Sequence, residues 1–231
     1  MTHWGDGSRE REAAESILKA YCGEAGPGDV MCGASAGDSQ VWQSILQEVL
    51  AVGQGSIAQV QEQLQRHVEE IGTSFRLPNE GEERPWPVSP LPLPIAEGEW
   101  AGIAAAVVQR AELSELLLAD IYGPQRLVES NVLPTAALTG SPQFLRPMVG
   151  ISPPGGHYLN IYAADLGRGP DGEWRVLADH TRSPAGAGYA LENRLAASQI
   201  IGSLSERLNV ARLAPFFADL RAGIAASCER S

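Results

Sequence analysis

Six prolines fall between residues 77 and 95, in the stretch LPNEGEERPWPVSPLPLPI. Proline fixes φ and lacks an amide hydrogen, so neither a helix nor a central strand can run through such a segment. The stretch reads as an ordered but irregular connector, with Trp86 packed between prolines. It divides the 231-residue chain into a part before and a part after, in a length that allows one to two domains.

Before the connector, residues 1–37 are rich in Gly, Ser, Glu and Ala and read as a variable or flexible segment with one short helix at 9–21. Residues 38–95 then hold a helical pair and the connector itself. Trp42, Ile45, Val49 and Leu50 recur at helical spacing over 41–52, and Gly53 and Gly55 stop that helix. Ser56 caps the next helix, with Gln59 three residues on as its capping-box partner, and Ile57, Val60, Leu64, Val68 and Ile71 form its apolar stripe.

After the connector, residues 96–231 read as a mixed α/β segment, incomplete at its C-terminal end. Its longest helix runs over 100–121, with Trp100, Ile103, Val107, Leu117, Leu118 and Ile121 on one side. Ala111 and Ser114 on that side leave room for a close neighbour, and Gly123-Pro124 ends the helix. Residues 157–165 and 173–179 alternate as strands around Asp171-Gly172, a two-residue hairpin signal. Under that turn Asp165 faces Ala178, and Ala178 and His180 share its side of the sheet while Asp179 points away. A Gly/Pro loop at 181–188 leads to two closing helices near 190–206 and 211–226. Trp86, Trp100 and Trp174 read most simply as packing residues.

Charge narrows the function classes. With 17 basic and 28 acidic residues the net charge is −11, and Lys19 is the only lysine. A chain this acidic, without a basic run, is a poor partner for nucleic acid or anionic membranes. No apolar run approaches the roughly 18 residues of a membrane span, and the polar N-terminus lacks an apolar signal core. Cys22, Cys32 and Cys228 are odd in number and form no CxxC, so reduced thiols in a cytoplasmic protein are the expectation.

Two acidic residues facing each other across a hairpin repel unless a metal sits between them, and Mg²⁺ is a hard cation that takes oxygen ligands and bridges nucleotide phosphates. The sequence that follows, LADHTRSPAGAGYALENR at 177–194, resembles the signature of the circularly permuted ATP-grasp family. Asp179, Arg182, Pro184, Gly186, Tyr189, Leu191, Glu192, Asn193 and Arg194 match its pattern. RPWPVSPLPLPI, Glu99-Trp100, QRAELSELLLADIYG and AADLGR are also similar to this family, and in the right order. The resemblance covers about 38–231, most weakly over 38–75, and points to the type 2 group often fused to an Alpha-E domain. It implies a partial permuted ATP-grasp module of α/β class, built on an antiparallel β-hairpin with flanking helices.

The resemblance also implies ATP and Mg²⁺ as cofactors, with Asp165 and His180 as the metal positions. Arg168, Gly186, Tyr189, Glu192 and Asn193 would lie against the nucleotide, and Arg182 and Arg194 would act on phosphate charge. Two departures weaken this. The family's metal-binding Glu is Ala178 here and its Asn is His180, so ATP and Mg²⁺ binding should be weak or absent. This version resembles the subgroup regarded as catalytically inactive, which implies scaffolding or substrate presentation in a peptide synthesis or modification system. The permuted family also continues further, so the remaining C-terminal part of the module, or another protein, is the expected partner.

Other readings stay open at each position. Asp165 is either a metal ligand or a strand-end acid pairing with Arg168, and His180 either a ligand or a half-buried loop histidine. Arg182 and Arg194 can grip phosphate or carboxylate bidentately, or order the loop through Asp179 or Glu192. Arg110 and Asp120 either line a cleft or form surface ion pairs. The active alternative is a carboxylate–amine ligase that forms an acyl phosphate. The plain alternative is a protein-binding domain.

Overall fold

The computed structural model describes residues 7–32, 36–76, 81–182 and 184–228. In chain order it contains α1 (Ser8–Glu24), α2 (Ala36–Val52), α3 (Ile57–Glu70), and the short strands β1 (Ser74–Phe75) and β2 (Arg84–Pro85). Then come α4 (Glu97–Ile121), α5 (Arg126–Glu129), α6 (Thr135–Thr139), β3 (Ala163–Arg168), β4 (Trp174–His180), α7 (Ala187–Arg207) and α8 (Ala214–Cys228). β1 pairs with β2 and β3 with β4, so the fold is mixed α/β with small antiparallel sheets. No described helix is long and apolar enough to cross a membrane.

The chain divides into two compact units. The first comprises 1–95, 168–174 and 185–212, the second 96–167, 175–184 and 213–231. The tip of the β3–β4 hairpin thus counts with the first and its body with the second.

The first unit has a closed core. Trp42, Ile45 and Val49 of α2, Val60, Leu64 and Val68 of α3, and Ala196, Ile201 and Leu204 of α7 form one buried cluster. These are the stripes that the 3.6-residue period marks on α2 and α3. Ser56 accepts a hydrogen bond from the Gln59 amide at 3.4 Å, capping α3 as its sequence predicts. A second cluster, Ala14, Leu46 and Leu50, fastens α1 to α2. The connector follows irregular backbone beyond β2, and its Trp86, Val88 and Leu91 pack against the core. Its residues 77–80, including Pro78, lie outside the described residues.

Cys22 and Cys32 form a disulfide with Cα atoms 5.4 Å apart, within the span such a bridge allows. The expectation of reduced thiols is corrected at these two positions. The local chain brings them together: the Asp29 carboxylate accepts from the Met31 and Cys32 amides at 2.9 and 3.2 Å and from the Tyr21 hydroxyl at 2.7 Å. That Asx-type turn folds the segment after α1 back on its own helix end.

The second unit is built around α4, which at 25 residues is the longest helix. Ile103 is the one buried hydrophobic among its described residues, and Trp100 is 56% exposed, against the expectation that it packs inside. The strand expected from residue 157 starts only at Ala163. The reason is Glu115 on α4, whose two carboxylate oxygens accept the Tyr158 and Leu159 amides at 2.9 and 2.7 Å. That pins 157–162 as a loop on the helix instead of a strand. The Asp120 carboxylate likewise accepts the Arg126 and Leu127 amides, both at 3.0 Å, so it orders the start of α5.

Candidate functional site

The hairpin loop holds three residues, not two. The Gly169 amide donates to the Glu173 carbonyl and the Gly172 amide to the Gly169 carbonyl, each at 2.9 Å, with Gly172 at φ +81°. Pro170 takes the second position of a type I turn and Gly172 the left-handed position that follows, where a β-carbon would be strained. One extra residue in the loop moves the register by one, which exchanges the faces of the sheet. Exposure alternates accordingly: Asp165, Leu177 and Asp179 face solvent, while Leu166, Val176 and Ala178 are half-buried. A β-carbon on Gly167 would stand 3.0 Å from the Leu177 side chain, which places 167 and 177 on the same face. Ala178 therefore points away from Asp165, correcting the expectation that they share a side.

His180, the last residue of β4, still reaches Asp165, with Nε2 2.9 Å from Oδ2. Both side chains are well exposed, at 45% and 62%. The two residues singled out as metal ligands are thus brought together, as partners of each other. Arg168 donates its Nε to the Gly172 carbonyl at 2.8 Å and so braces the loop.

Asp179 anchors a second cluster. The Arg110 guanidinium grips it as a fork, Nε to Oδ1 at 2.9 Å and Nη2 to Oδ2 at 2.5 Å, and the Tyr162 hydroxyl donates to Oδ1 as well. These bonds, Arg110 first and Tyr162 second, hold the Asp179 carboxyl at about 2, well below the ordinary carboxylate value. Burial, together with the bond to Asp179, pushes the Tyr162 phenol up. Arg182 donates to the Gln143 amide oxygen. Asp179 is thus met by Arg110 and Tyr162 on elements 69 and 17 residues away, separations that no local spacing reports.

The remaining signature residues belong to the first unit. Gly186, at φ +113° with open space around its missing β-carbon, caps α7. Its glycine serves the turn and not a close approach. Tyr189 stacks on Trp86 with ring centroids 4.0 Å apart and planes 17° from parallel. Its hydroxyl donates to the Ser74 carbonyl at 2.9 Å. The Trp86 indole donates to Asn193 Oδ1 at 2.7 Å, and Phe75 meets Trp86 edge-on at 5.6 Å. Tyr189 and Asn193 lie four residues apart, on the same face of α7 as buried Ala196, and lock the connector onto the helix. Arg194 donates to the Ala211 carbonyl at 2.8 Å, and Glu192 is half-buried on α7. Neither arginine makes the Asp179 or Glu192 pairing that the sequence offers.

An α/β chain with this hairpin and this signature defines an ATP-grasp-like protein. Residues 92–231 match the family described as circularly permuted ATP-grasp type 2, and the chain belongs to that family. Relatives include an uncharacterized protein of Mycobacterium tuberculosis (strain ATCC 25618 / H37Rv), 40% identical over 140 residues, which are 61% of this chain and 16% of that protein. An uncharacterized protein of Synechocystis sp. is 40% identical over 126 residues, 54% of this chain and 26% of its own length. One of Mycobacterium leprae is 36% identical over 143 residues, 62% and 25% respectively. The chain therefore spans about a sixth to a quarter of the relatives it matches.

ATP-grasp proteins generally use ATP and Mg²⁺. The hairpin of this chain does not fit that ion. Mg²⁺ asks for several oxygen donors in near-octahedral array. Here position 178 offers a methyl group facing the other way, Asp165 is paired with an imidazole, and Asp179 is held by Arg110 and Tyr162. Among the described residues no three His, Cys, Asp or Glu side chains come together as a metal site.

Proposed function

We propose that this chain is a non-catalytic part of a circularly permuted ATP-grasp assembly, acting as a scaffold or substrate-presenting element in a peptide synthesis or modification system. The observation that carries this reading is the internal pairing of the hairpin acids, Asp165 with His180 and Asp179 with Arg110 and Tyr162. A carboxylate already held by a guanidinium fork binds Mg²⁺ only by giving up those charge-assisted bonds. The partner would be the rest of the ATP-grasp module or another protein, with no role for nucleic acid or membrane. The Cys22–Cys32 bridge bears on location, because disulfides persist in oxidising compartments. Mass spectrometry of alkylated, unreduced protein from cells decides between that and the cytoplasmic reading.

The test is calorimetric titration of Mg²⁺ and then MgATP into the 231-residue chain, with ADP release followed in parallel. The proposal expects no binding heat and no ADP. Micromolar MgATP binding, with release of ADP when amines and carboxylates are supplied, would overturn it. That result would support the second reading, an ATP-dependent carboxylate–amine ligase, which family membership favours. In that reading Arg182 and Arg194 act on phosphate charge, Gly186, Tyr189, Glu192 and Asn193 line the nucleotide, and Asp165 must leave His180.

A further inference from the structure

Residues 25–32 follow α1 with no helix or strand of their own. The Asp29 amide donates to the Gly26 carbonyl at 3.3 Å, closing a turn over 26–29. Pro27 and Gly28 take its two central positions, the order a type II turn favours, with Gly28 at φ +82°. A β-carbon on Gly28 would stand 2.6 Å from Pro170 Cα and 2.9 Å from the Pro170 carbonyl oxygen. Both are backbone atoms, which cannot swing aside as a side chain does. Gly28 is therefore demanded twice, by its φ and by the close approach. The turn lies directly on the loop of the β3–β4 hairpin, and both belong to the first unit. Further along the segment, Trp42 Nε1 donates to the Val30 carbonyl at 3.1 Å, and Met31 packs on the core. The Cys22–Cys32 bridge ties the far end of the segment to the last turn of α1.

We propose that the Cys22–Cys32 pair is a thiol-redox clasp: as a disulfide it holds the Gly28 turn against Pro170, and as two thiols it releases the turn and frees the hairpin loop. Access favours exchange, because Cys22 is exposed and Cys32 half-buried. A thiolate of a low-molecular-weight thiol attacks the Cys22 sulfur. The S–S bond breaks, Cys22 becomes a mixed disulfide, and Cys32 leaves as a thiolate that takes a proton from water. A second molecule of the thiol resolves the mixed disulfide. The protein gains two electrons and two protons, and the small thiol becomes its own disulfide. Opening the bridge returns conformational freedom to a loop whose ends are 10 residues apart. What then holds the segment is the exposed Tyr21–Asp29 bond, the Trp42 bond and the Met31 contact. The coupling is reciprocal, so whatever loosens the turn makes the bridge easier to reduce. The clasp works the same way whether or not the chain binds nucleotide.

The experiment follows hydrogen exchange by peptide on the 231-residue chain, oxidised and after reduction by glutathione, with alkylation and mass measurement reporting the bridge. The expected result is that reduction speeds exchange in 25–32 and 168–174 at least about 5-fold and leaves α2 and α3 unchanged. Cys22→Ser/Cys32→Ser should match the reduced protein in either buffer. Gly28→Ala, with the bridge intact, should speed 168–174 in the same way. It should also lower, by about 3-fold or more, the ratio of reduced to oxidised glutathione that opens half of the bridges. A bridge that resists excess reduced glutathione is a permanent staple and overturns the proposal. So does reduction that leaves 168–174 unchanged, or that speeds α2 and α3 equally. Circular dichroism checks that the double serine variant is folded; should it unfold, the wild type in its two redox states and Gly28→Ala decide.

Discussion

The two units differ in how they use their hydrophobic residues. The first closes three helices over a core with Ile45, Val49, Val60 and Leu64 fully buried. The second has a longer central helix, as apolar as α2, and buries only Ile103 among its described residues. Hydrophobic residues are therefore not what the second unit lacks. It lacks surfaces that cover them. It is held instead by polar staples: Glu115 on two backbone amides, Asp120 on two more, and Arg110 on Asp179. The bonds of Glu115 and Asp120 to backbone amides contribute about 1 kcal/mol each, whereas burial of one large aliphatic side chain contributes roughly 2 to 3 kcal/mol.

The largest expected effect is in the first core. Leu64→Ala should cost about 2–5 kcal/mol in urea unfolding, while Leu116→Ala in the free chain should stay within about 0.5 kcal/mol. Equal losses would erase the contrast between the units. Next in size is Tyr189→Ala, which removes the stack on Trp86 and the bond to Ser74, at about 2 kcal/mol. Trp86→Phe keeps a ring but loses the bond to Asn193, at about 1 kcal/mol. If either variant leaves stability unchanged while altering nucleotide affinity, these residues are ligands and not a lock on the connector.

The smallest effect belongs to Asp179 and is read through pH. Its pKa is lowered in the folded protein to about 2, so the ionised form is favoured by folding. The stability this gives is present above the ordinary carboxylate value near 4 and is lost as pH falls toward 2. Thermal melts of wild type against Asp179→Asn should therefore differ at pH 6, narrow from about pH 4 downward and converge only near pH 2. A constant difference across that range would mean that the Arg110 fork does not form. Restoring family-like residues tests the register in turn. Ala178→Glu/His180→Asn should not create a Mg²⁺ site in calorimetry, because residue 178 faces away from Asp165. Tight Mg²⁺ binding would show the shorter loop.

Much of this was legible in the sequence, for physical reasons that differ by element. The cap at Ser56 and the stripe on α3 are local patterns, and the helix forms where they place it. The family signature was legible because its motifs occur in order, and the α/β hairpin class follows from it. The turn was misread because Asp171-Gly172 suits both a two-residue loop and the end of a three-residue one. Pro170, favoured in the second position of a type I turn, was the signal that separates them. The Cys22–Cys32 bridge depends on the fold-back at Asp29, which cysteine counting does not see. Trp86 with Asn193, 107 residues apart, and Arg110 with Asp179, 69 apart, exist only through tertiary structure.

The most direct measurement is native-state hydrogen exchange on the free 231-residue chain, resolved by peptide. Amides of α2, α3 and α7, which form the closed core, should exchange only through global unfolding. Those of α4 should exchange through local opening at lower free energy. Protection of α4 equal to that of α2 in the free chain would contradict it.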